Sequence, residues 1–406
     1  MPLRAKVATS VSKTAAALSR AAGRGDGSVI GGWIGLKIDP ELLSHLATGR
    51  AIALVSGTNG KTTTTRLAAA ALGVLGPVAT NSFGANMPTG HTSALAKAGQ
   101  TPFAVLEVDE HYLPRVIDET KPRVVALLNL SRDQLDRAKE VAMMAQLWRT
   151  ALAGHPDVNV VANADDPMVV WAAYGSQKVT WFSAGQRWQD DSWVCPESGD
   201  PIERENGDWW CTGCPLRRPI PQWRVEDDGV IDPRGDWHLV KLQLPGTVNL
   251  GNAATALAVA AEFGVRPIEA LPRLSTVTSI AGRYAQVERD GRNIRLLLAK
   301  NPASWLEAFD MAEQAPTLLS INARDPDGFD TSWLYDVDFA PLYGRPVLIT
   351  GERAYDLAVR LEVNGIPFQH VKTFEEAVRI VPPGRLEVIA NYTAFQDIRA
   401  ELDRVN

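Results

Sequence analysis

The sequence predicts an α/β protein, in which a parallel sheet with flanking helices is followed by a second α/β domain. Strand-like apolar runs alternate with helical segments between Ala51 and Val161, as in "AIALVS", "PFAVLEV", "RVVALLNL" and "VNVVANA". The alternation restarts near Gln286 with "NIRLLLA", "TLLSINA", "PVLITG" and "LEVIANY". The 406 residues, 45% of them hydrophobic, suffice for more than one core. In parallel sheets of this kind, ligands bind at the carboxyl ends of the strands.

The N-terminal segment is basic. Its first 25 residues contain no acidic residue and five basic ones, namely Arg4, Lys6, Lys13, Arg20 and Arg24. The segment lacks the apolar core of a signal peptide, and no run of about 18 apolar residues occurs in the chain. Two interpretations stay open: a solvated helix packed on the first domain, or an amphipathic helix on an anionic leaflet. We therefore expect a cytoplasmic protein with at most peripheral contact with the membrane.

Composition argues against a nucleic-acid partner. The formal net charge is −6, whereas a protein that binds a polyanion normally presents a basic face. Three cysteines are too few for a disulfide framework, which fits a reducing compartment.

A phosphate-binding turn is predicted within "AIALVSGTNGKTTTTRLAAAAL", residues 51 to 72, where an apolar strand enters a glycine-punctuated turn and then an Ala-rich helix. Backbone N–H groups of such a turn cradle phosphate oxygens, the Lys61 ammonium offsets charge on the β and γ groups of a nucleotide, and the Thr62 hydroxyl is a ligand for Mg²⁺. The alternative is an ordinary strand-to-helix turn with a surface lysine. The candidate nucleotide-binding residues are Gly57, Thr58, Asn59, Gly60, Lys61, Thr62 and Thr63.

A small insert is indicated at about residues 188–222. Seven of the twelve tryptophans fall between Trp181 and Trp237, and all three cysteines lie in the same span. Cys211 and Cys214 have metal-type spacing, and Cys195 is followed three residues later by Ser198. Zinc prefers four thiolate or imidazole ligands, so a serine at the fourth position leaves two alternatives. The insert either binds zinc or is held by its Trp and Pro packing.

Several segments together resemble the Mur ligase family, which joins carboxylates to amines through an acyl phosphate. "GTNGKTTT" has the family's form, and "LEVDEH" is similar to a strand-end motif whose acid, here Glu107, holds Mg²⁺. "NLSRDQLDR" resembles a further motif, with Gln134 where the family has a metal-binding His, so a second metal stays open. "NADDP" is similar to the nucleotide loop, which implies that Asn163 and Asp166 lie near the adenosine.

Two later segments extend the resemblance. "LPGTVNLGNAATALA" is similar to the family's Gly-x-x-Asn-x-x-Asn helix start, which implies Asn249 and Asn252 as nucleotide-site residues. "AGRYAQVE" resembles the hinge from which an arginine, here Arg283, reaches the γ-phosphate. Lys61, Glu107 and Arg283 are therefore the candidate catalytic residues of the synthetase site.

The resemblance covers about residues 28 to 400. Within the family, the chain resembles one particular branch. Only some 50 residues precede the turn, too few for the family's UDP-binding domain, so a lipid-linked substrate is expected. Proteins of that branch resemble this chain in having a ribbon-like insert. They also have segments similar to "LLLAKNPASW", "INARDPDGFDTSWLYDVDF" and "ANYTAF". The implied organisation is a basic segment (residues 1–36), a Mur ligase-like ATP-binding domain with the parallel sheet and insert (37–285), and a Rossmann-like α/β domain (286–406).

This resemblance implies an activity: ATP-dependent amidation of the α-carboxyl of D-glutamate in the lipid II stem peptide to D-isoglutamine. It further implies a heterodimer with a GatD-like glutaminase subunit, in whose Cys-His pair the His is oriented by an Asp of this chain. Asp330 and Asp336 are both candidates, and a solvated acidic loop is the alternative. All three cysteines lie in the insert, which agrees with a separate glutaminase.

Two other functions stay open at this stage. A Mur-type or folylpolyglutamate-type ligase that adds an amino acid fits the phosphate-binding turn equally well. A non-catalytic ATP-binding assembly subunit is compatible with Gln134 and Ser198.

Overall fold

A computed structural model of the protein describes residues 1–22, 27–81, 84–132, 141–278 and 284–405. Contacts divide the chain into two compact units. The first comprises Met1–Leu130, Glu140–Leu244 and Val248–Thr278, and the second comprises Ser131–Lys139, Pro245–Thr247 and Ser279–Asn406. Both contain a sheet in which most neighbouring strands are parallel, so the predicted α/β class is confirmed.

Eleven strands are described in the first unit. They are β1 (Ala51–Ser56), β2 (Val78–Thr80), β3 (Phe103–Glu107), β4 (Val124–Leu127), β5 (Asn159–Asn163), β6 (Val179–Ser183), β7 (Ile202–Glu205), β8 (Asp208–Cys211), β9 (Trp223–Glu226), β10 (Gly229–Ile231) and β11 (Trp237–Leu239). Nine of these form one sheet in the order β11-β10-β9-β6-β5-β4-β1-β3-β2. The strands from β2 to β9 in this order run parallel, and β10 and β11 add an antiparallel edge.

Helices cover both faces of this sheet. They are α1 (Leu3–Ala21), α2 (Ser28–Ile38), α3 (Leu42–Ala47), α4 (Lys61–Leu72), α5 (Pro88–Ala98), α6 (Leu113–Thr120), α7 (Val141–Ala153), α8 (Pro167–Ala173), α9 (Val248–Ala261) and α10 (Pro267–Leu274). Alternate residues of β1 enter different cores: Ile52 and Leu54 pack with α3 and α5 to α8, whereas Ala53 and Val55 pack with α4, α9 and α10. Burial on both faces explains why these strands are continuous apolar runs.

The N-terminal segment forms α1 and α2, which pack on each other through small residues. A Cβ added at Gly31 of α2 would lie 2.8 Å from the carbonyl oxygen of Ser12 and 2.9 Å from the Cβ of Ala16, so glycine is required for this close approach. No helix in the described ranges is both long enough and apolar enough to cross a bilayer.

The second unit contains a six-stranded sheet in its described part. The strands are β12 (Tyr284–Arg289), β13 (Arg292–Leu298), β14 (Thr317–Ser320), β15 (Val347–Thr350), β16 (Gln369–His370) and β17 (Gly384–Ala390), in the order β12-β13-β17-β14-β15-β16. Only β12 is antiparallel to its neighbour. The helices are α11 (Pro302–Met311), α12 (Ala354–Val363), α13 (Phe374–Ile380) and α14 (Tyr392–Val405).

Candidate nucleotide-binding site

The predicted phosphate-binding turn connects β1 to α4 at the carboxyl end of the large sheet. Its side chains are buried, with Thr58 2% and Lys61 3% exposed. Gly60 has φ +80°, and a Cβ there would lie 2.7 Å from Oδ1 of Asn252, so both conformation and space require glycine. No side chain caps the N-terminus of α4, and its first turn contains no acidic residue. This geometry and the helix dipole suit an anion such as a nucleotide phosphate.

The ammonium group of Lys61 is held over the turn. Its Nζ donates to the carbonyl oxygen of Gly57 at 2.5 Å and lies 3.0 Å from Oε1 of Glu110. Glu110 was not predicted, although it belongs to the same "LEVDEH" segment as Glu107. Its carboxylate fixes the cation at the turn, and a lysine with this placement can offset phosphate charge.

Asn129 shapes the backbone of the turn. Its carbonyl oxygen accepts from the Thr58 N–H at 2.9 Å, its Oδ1 accepts from the Asn59 N–H at 2.8 Å, and its Nδ2 donates to the Asn59 carbonyl at 3.1 Å. Asn129 is the first residue of "NLSRDQLDR", but it was not predicted as a site residue. These bonds orient Thr58 and Asn59, so Asn129 is a positioning residue for the turn.

Glu107 lies at the carboxyl end of β3, in register with Val55 of β1, which places it at the same sheet edge as the turn. It is 2% exposed. The side chain of Asn81 donates to the Glu107 carbonyl and accepts from its N–H, both at 2.8 Å. His91 also contacts that carbonyl through Nε2 at 2.7 Å, and burial lowers the pKa of His91 to about 4, so its ring is neutral and Nε2 donates.

This arrangement fits the predicted magnesium ligands. A buried carboxylate on β3 and the Thr62 hydroxyl in the first turn of α4 are oxygen donors of the type that Mg²⁺ prefers. Two further predicted residues, Gln134 and Arg283, lie outside the described residues.

The "NADDP" segment follows β5 and is fixed by its own side chains. The carboxylate of Asp166 caps α8, accepting from Met168 N–H, and it also accepts from the Leu130 N–H, both at 2.9 Å. Burial raises the pKa of Asp166 to about 6. Nδ2 of Asn163 donates to the Leu128 carbonyl at 2.9 Å. Both residues therefore tie this loop to the end of β4, and their contact with adenosine stays a prediction.

Asn249 and Asn252 lie at the start of α9 and are almost fully buried. Nδ2 of Asn252 donates to Oδ1 of Asn249 at 3.0 Å, and Oδ1 of Asn252 accepts from the Thr64 hydroxyl at 3.0 Å. These bonds bring the start of α9 against α4, beside the turn. The structure thus assembles the described candidates of the first unit around one end of the sheet.

The predicted insert contains an antiparallel hairpin, β7 and β8. Its three thiol sulfurs lie within 4.8 Å of one another, and the Ser198 hydroxyl is 3.2 Å from the sulfur of Cys211. Burial raises the pKa of the Cys211 thiol, but hydrogen bonds from Ser198 and the Gly213 N–H outweigh it and lower that pKa to about 7. Four groups therefore converge as in a ribbon-type zinc site, with a hydroxyl in one position.

Side chains from this region also support the "NADDP" loop. The buried indole of Trp209 donates through Nε1 to the Ala164 carbonyl at 3.0 Å. Arg218 donates through Nε to Oδ1 of Asp165 at 2.8 Å, and Asp165 in turn accepts from the backbone N–H groups of residues 184 and 185. The predicted nucleotide loop is thus anchored from two sides.

The two predicted glutaminase-site acids lie in the second unit and differ in their surroundings. Asp336 is paired with Arg132 at 3.3 Å. Asp330 is exposed and accepts from the Ser332 N–H at 2.8 Å, and hydrogen bonds from Ser332 lower its pKa. It is therefore a carboxylate at neutral pH, at the surface of a short loop.

Comparison with known proteins identifies the family. The Mur ligase middle domain model matches residues 55–260, and the MurT ligase C-terminal model matches residues 298–395. The lipid II isoglutaminyl synthase (glutamine-hydrolyzing) subunit MurT of Staphylococcus aureus (strain COL) is 28% identical over 99% of this chain and 98% of its own. The corresponding subunit of Streptococcus pneumoniae is 28% identical over 92% of each chain.

Other relatives match less of the chain or share the fold at lower identity. The UDP-N-acetylmuramate–L-alanine ligase of Paenarthrobacter aurescens is 27% identical over 63% of this chain and 50% of its own. A pseudomurein peptide ligase type C from Methanothermus fervidus has a TM-score of 0.67 at 18% identity, over 90% of this chain and 81% of that one. Because the middle-domain match alone spans more than half of the sequence, the chain belongs to the Mur ligase family.

Proposed function

We propose that this chain is the synthetase subunit that amidates the α-carboxyl of D-glutamate in the lipid II stem peptide to D-isoglutamine, using ATP and ammonia. The observation that carries the proposal is the extent of similarity. The staphylococcal MurT subunit matches 99% of the chain, second unit included, whereas the alanine ligase matches 63%. We propose that the reaction takes place in the cytoplasm, at the inner face of the membrane.

A carboxylate does not form an amide with ammonia in water without activation. In the first step, an oxygen of the D-glutamate carboxylate forms a bond to the γ-phosphorus of ATP, the bond from that phosphorus to the bridging oxygen breaks, and ADP leaves. In the second, ammonia forms a bond to the carbonyl carbon of the acyl phosphate, the bond to the phosphate oxygen breaks, and the nitrogen loses a proton. Phosphate and the amide are the products.

The chain's own residues hold the nucleotide for the first step. The turn and the N-terminus of α4 bind phosphate oxygens, and the Lys61 ammonium offsets the charge that the transferring group carries. Mg²⁺, which Thr62 and Glu107 would hold, neutralises further phosphate charge when bound. Arg283 is proposed to reach the γ-phosphate. Asn163, Asp166, Asn249 and Asn252 are proposed to line the nucleotide site.

Ammonia is proposed to come from a GatD-like glutaminase subunit in a heterodimer. A glutaminase needs a cysteine nucleophile, and the three cysteines of this chain converge in the insert. We assign Asp330 as the residue that orients the partner's histidine, because Asp336 is already paired with Arg132. An exposed carboxylate held by a backbone N–H is preorganised to accept from an imidazole N–H.

Mass spectrometry of lipid II tests the reaction. The chain and its co-purified partner are incubated with lipid II, ATP and Mg²⁺, with glutamine in one tube and ammonium chloride in another. We expect in both a product lighter by the difference between a hydroxyl and an amino group, with release of ADP. If lipid II keeps its mass in both tubes but gives a heavier product in a third tube that contains free amino acids, the chain is an amino-acid ligase. If no tube gives a product, the chain is a non-catalytic subunit.

Lys61→Ala should reduce ATP turnover at least about 100-fold, because the transferring phosphoryl group loses its ammonium partner. Lys97→Ala, which removes an exposed lysine of α5, is the matched control and should leave turnover unchanged. Phosphate release reports turnover, and circular dichroism reports folding. Full activity in Lys61→Ala would mean that the turn does not bind the transferred group.

Asp330→Asn should lower glutamine hydrolysis by the complex at least about 100-fold and spare amidation from free ammonium, because the partner's histidine loses its orienting carboxylate. Asp338→Asn is the matched control, since Asp338 accepts in the same way from the N–H two residues later, at 2.9 Å. Asp336→Asn tests the other candidate. If glutamine hydrolysis falls only in Asp336→Asn, the assignment moves to Asp336.

Zinc is proposed to bind Cys195, Cys211 and Cys214, with the Ser198 hydroxyl in the fourth position. Ser198→Cys should raise zinc affinity at least about tenfold, since thiolate is a better ligand than hydroxyl. Competition with a chromophoric chelator measures the affinity, and Ser332→Cys in the second unit controls for an added exposed thiol. Wild-type protein that retains no zinc would refute the site, and the insert would then be held by Trp and Pro packing.

A further inference from the structure

The outer face of α1 is apolar and exposed. Leu3, Val7, Val11 and Leu18 are 79%, 49%, 37% and 66% exposed. Their spacings of four, four and seven residues place them along one side of the helix. We call these four residues the α1 ridge.

The packed side of α1 determines which way the α1 ridge faces. The buried residues of the helix are small, namely Ala5, Ala8, Ser12, Ala16 and Ser19. Those at positions 12 and 16 lie against Gly31 of α2. Because this side is packed against the protein, the ridge faces solvent. Four exposed aliphatic side chains on one side of a helix form a candidate interaction surface.

Cations flank the α1 ridge. Lys6, Lys13 and Arg20 recur every seven residues and form an exposed row on one flank of it. Arg4 lies on the other flank, where its Nε donates to the Ile38 carbonyl. The described part of the segment, residues 1–22, contains no acidic residue. The complementary partner is therefore a surface that is both apolar and anionic, and the long basic side chains can extend along the helix toward anionic groups.

We propose that α1 lies in the plane of an anionic lipid surface, with the α1 ridge in the boundary between headgroups and acyl chains. Charge complementarity favours lipid, and so does the composition of the ridge. The hot spots of protein interfaces are rich in Trp, Tyr and Arg and poor in Leu and Val, whereas the α1 ridge consists of Leu and Val. The surface is inferred from α1 alone. Only its use, which is to bring the nucleotide site to a membrane-anchored substrate, rests on the proposed function.

Vesicle co-sedimentation with the full chain tests the surface. We expect binding to vesicles of phosphatidylglycerol mixed with phosphatidylcholine, weakened by salt, and little binding to phosphatidylcholine alone. The double variant Val7→Asp/Val11→Asp should bind at least about tenfold more weakly, because carboxylates replace the centre of the ridge. Val359→Asp/Val363→Asp is the matched control: two exposed valines with the same spacing, on α12.

A second variant, Lys6→Glu/Lys13→Glu, keeps the ridge and reverses part of the basic row, and it should also bind more weakly. Wild-type protein that does not bind the anionic vesicles, or a Val7→Asp/Val11→Asp variant that binds them as well as the control does, would overturn the proposal. If the wild type does not bind vesicles and the α1 variants no longer bind the glutaminase subunit, the α1 ridge is a binding surface for a protein partner. Amidation of a water-soluble lipid II analogue, measured in parallel, separates failure of this surface from failure of the proposed function.

Discussion

The candidate nucleotide site depends on side chains that bind the backbone of the turn between β1 and α4. A turn that presents N–H groups to phosphate cannot use those same groups to stabilise its own conformation. Asn129, which follows β4, supplies this support through its bonds to Thr58 and Asn59. Asn252 of α9 accepts from the Thr64 hydroxyl and so holds α9 against the helix that follows the turn. The carboxyl ends of the parallel strands bring these elements together, so the topology of the sheet determines where the site lies.

Side chains also bind the backbone of the loops next to the turn. Asp166 binds backbone groups at the start of α8 and at the end of β4, and Asp165 binds Arg218 and the loop after β6. Trp209 adds a bond from the ribbon-like insert. The insert is therefore joined to the predicted adenosine loop by hydrogen bonds, although it lies far from that loop in sequence. We infer that the insert stabilises this loop, whether or not its cysteines bind zinc.

The sequence predicted those parts of the site that local chemistry determines. Gly60 and Lys61 are required by the conformation and charge of a phosphate-binding turn, and apolar runs buried on both faces identify a parallel sheet. Asn129 and Glu110 were missed because their roles come from contacts across the fold. The choice between Asp330 and Asp336 could not be made from spacing, since it depends on the position of Arg132. The direction of the α1 ridge likewise required knowledge of which side packs on α2.

The proposed reaction requires that ATP activates the D-glutamate carboxylate by phosphorylating it. The most direct test uses lipid II labelled with ¹⁸O in both oxygens of that carboxylate. It is incubated with the chain, its partner, ATP, Mg²⁺ and glutamine, and the released phosphate is analysed by mass spectrometry. Because the acyl phosphate keeps a carboxylate oxygen on phosphorus when ammonia attacks carbon, we predict that each phosphate carries one heavy oxygen. Unlabelled phosphate, released while the amide forms, would contradict it.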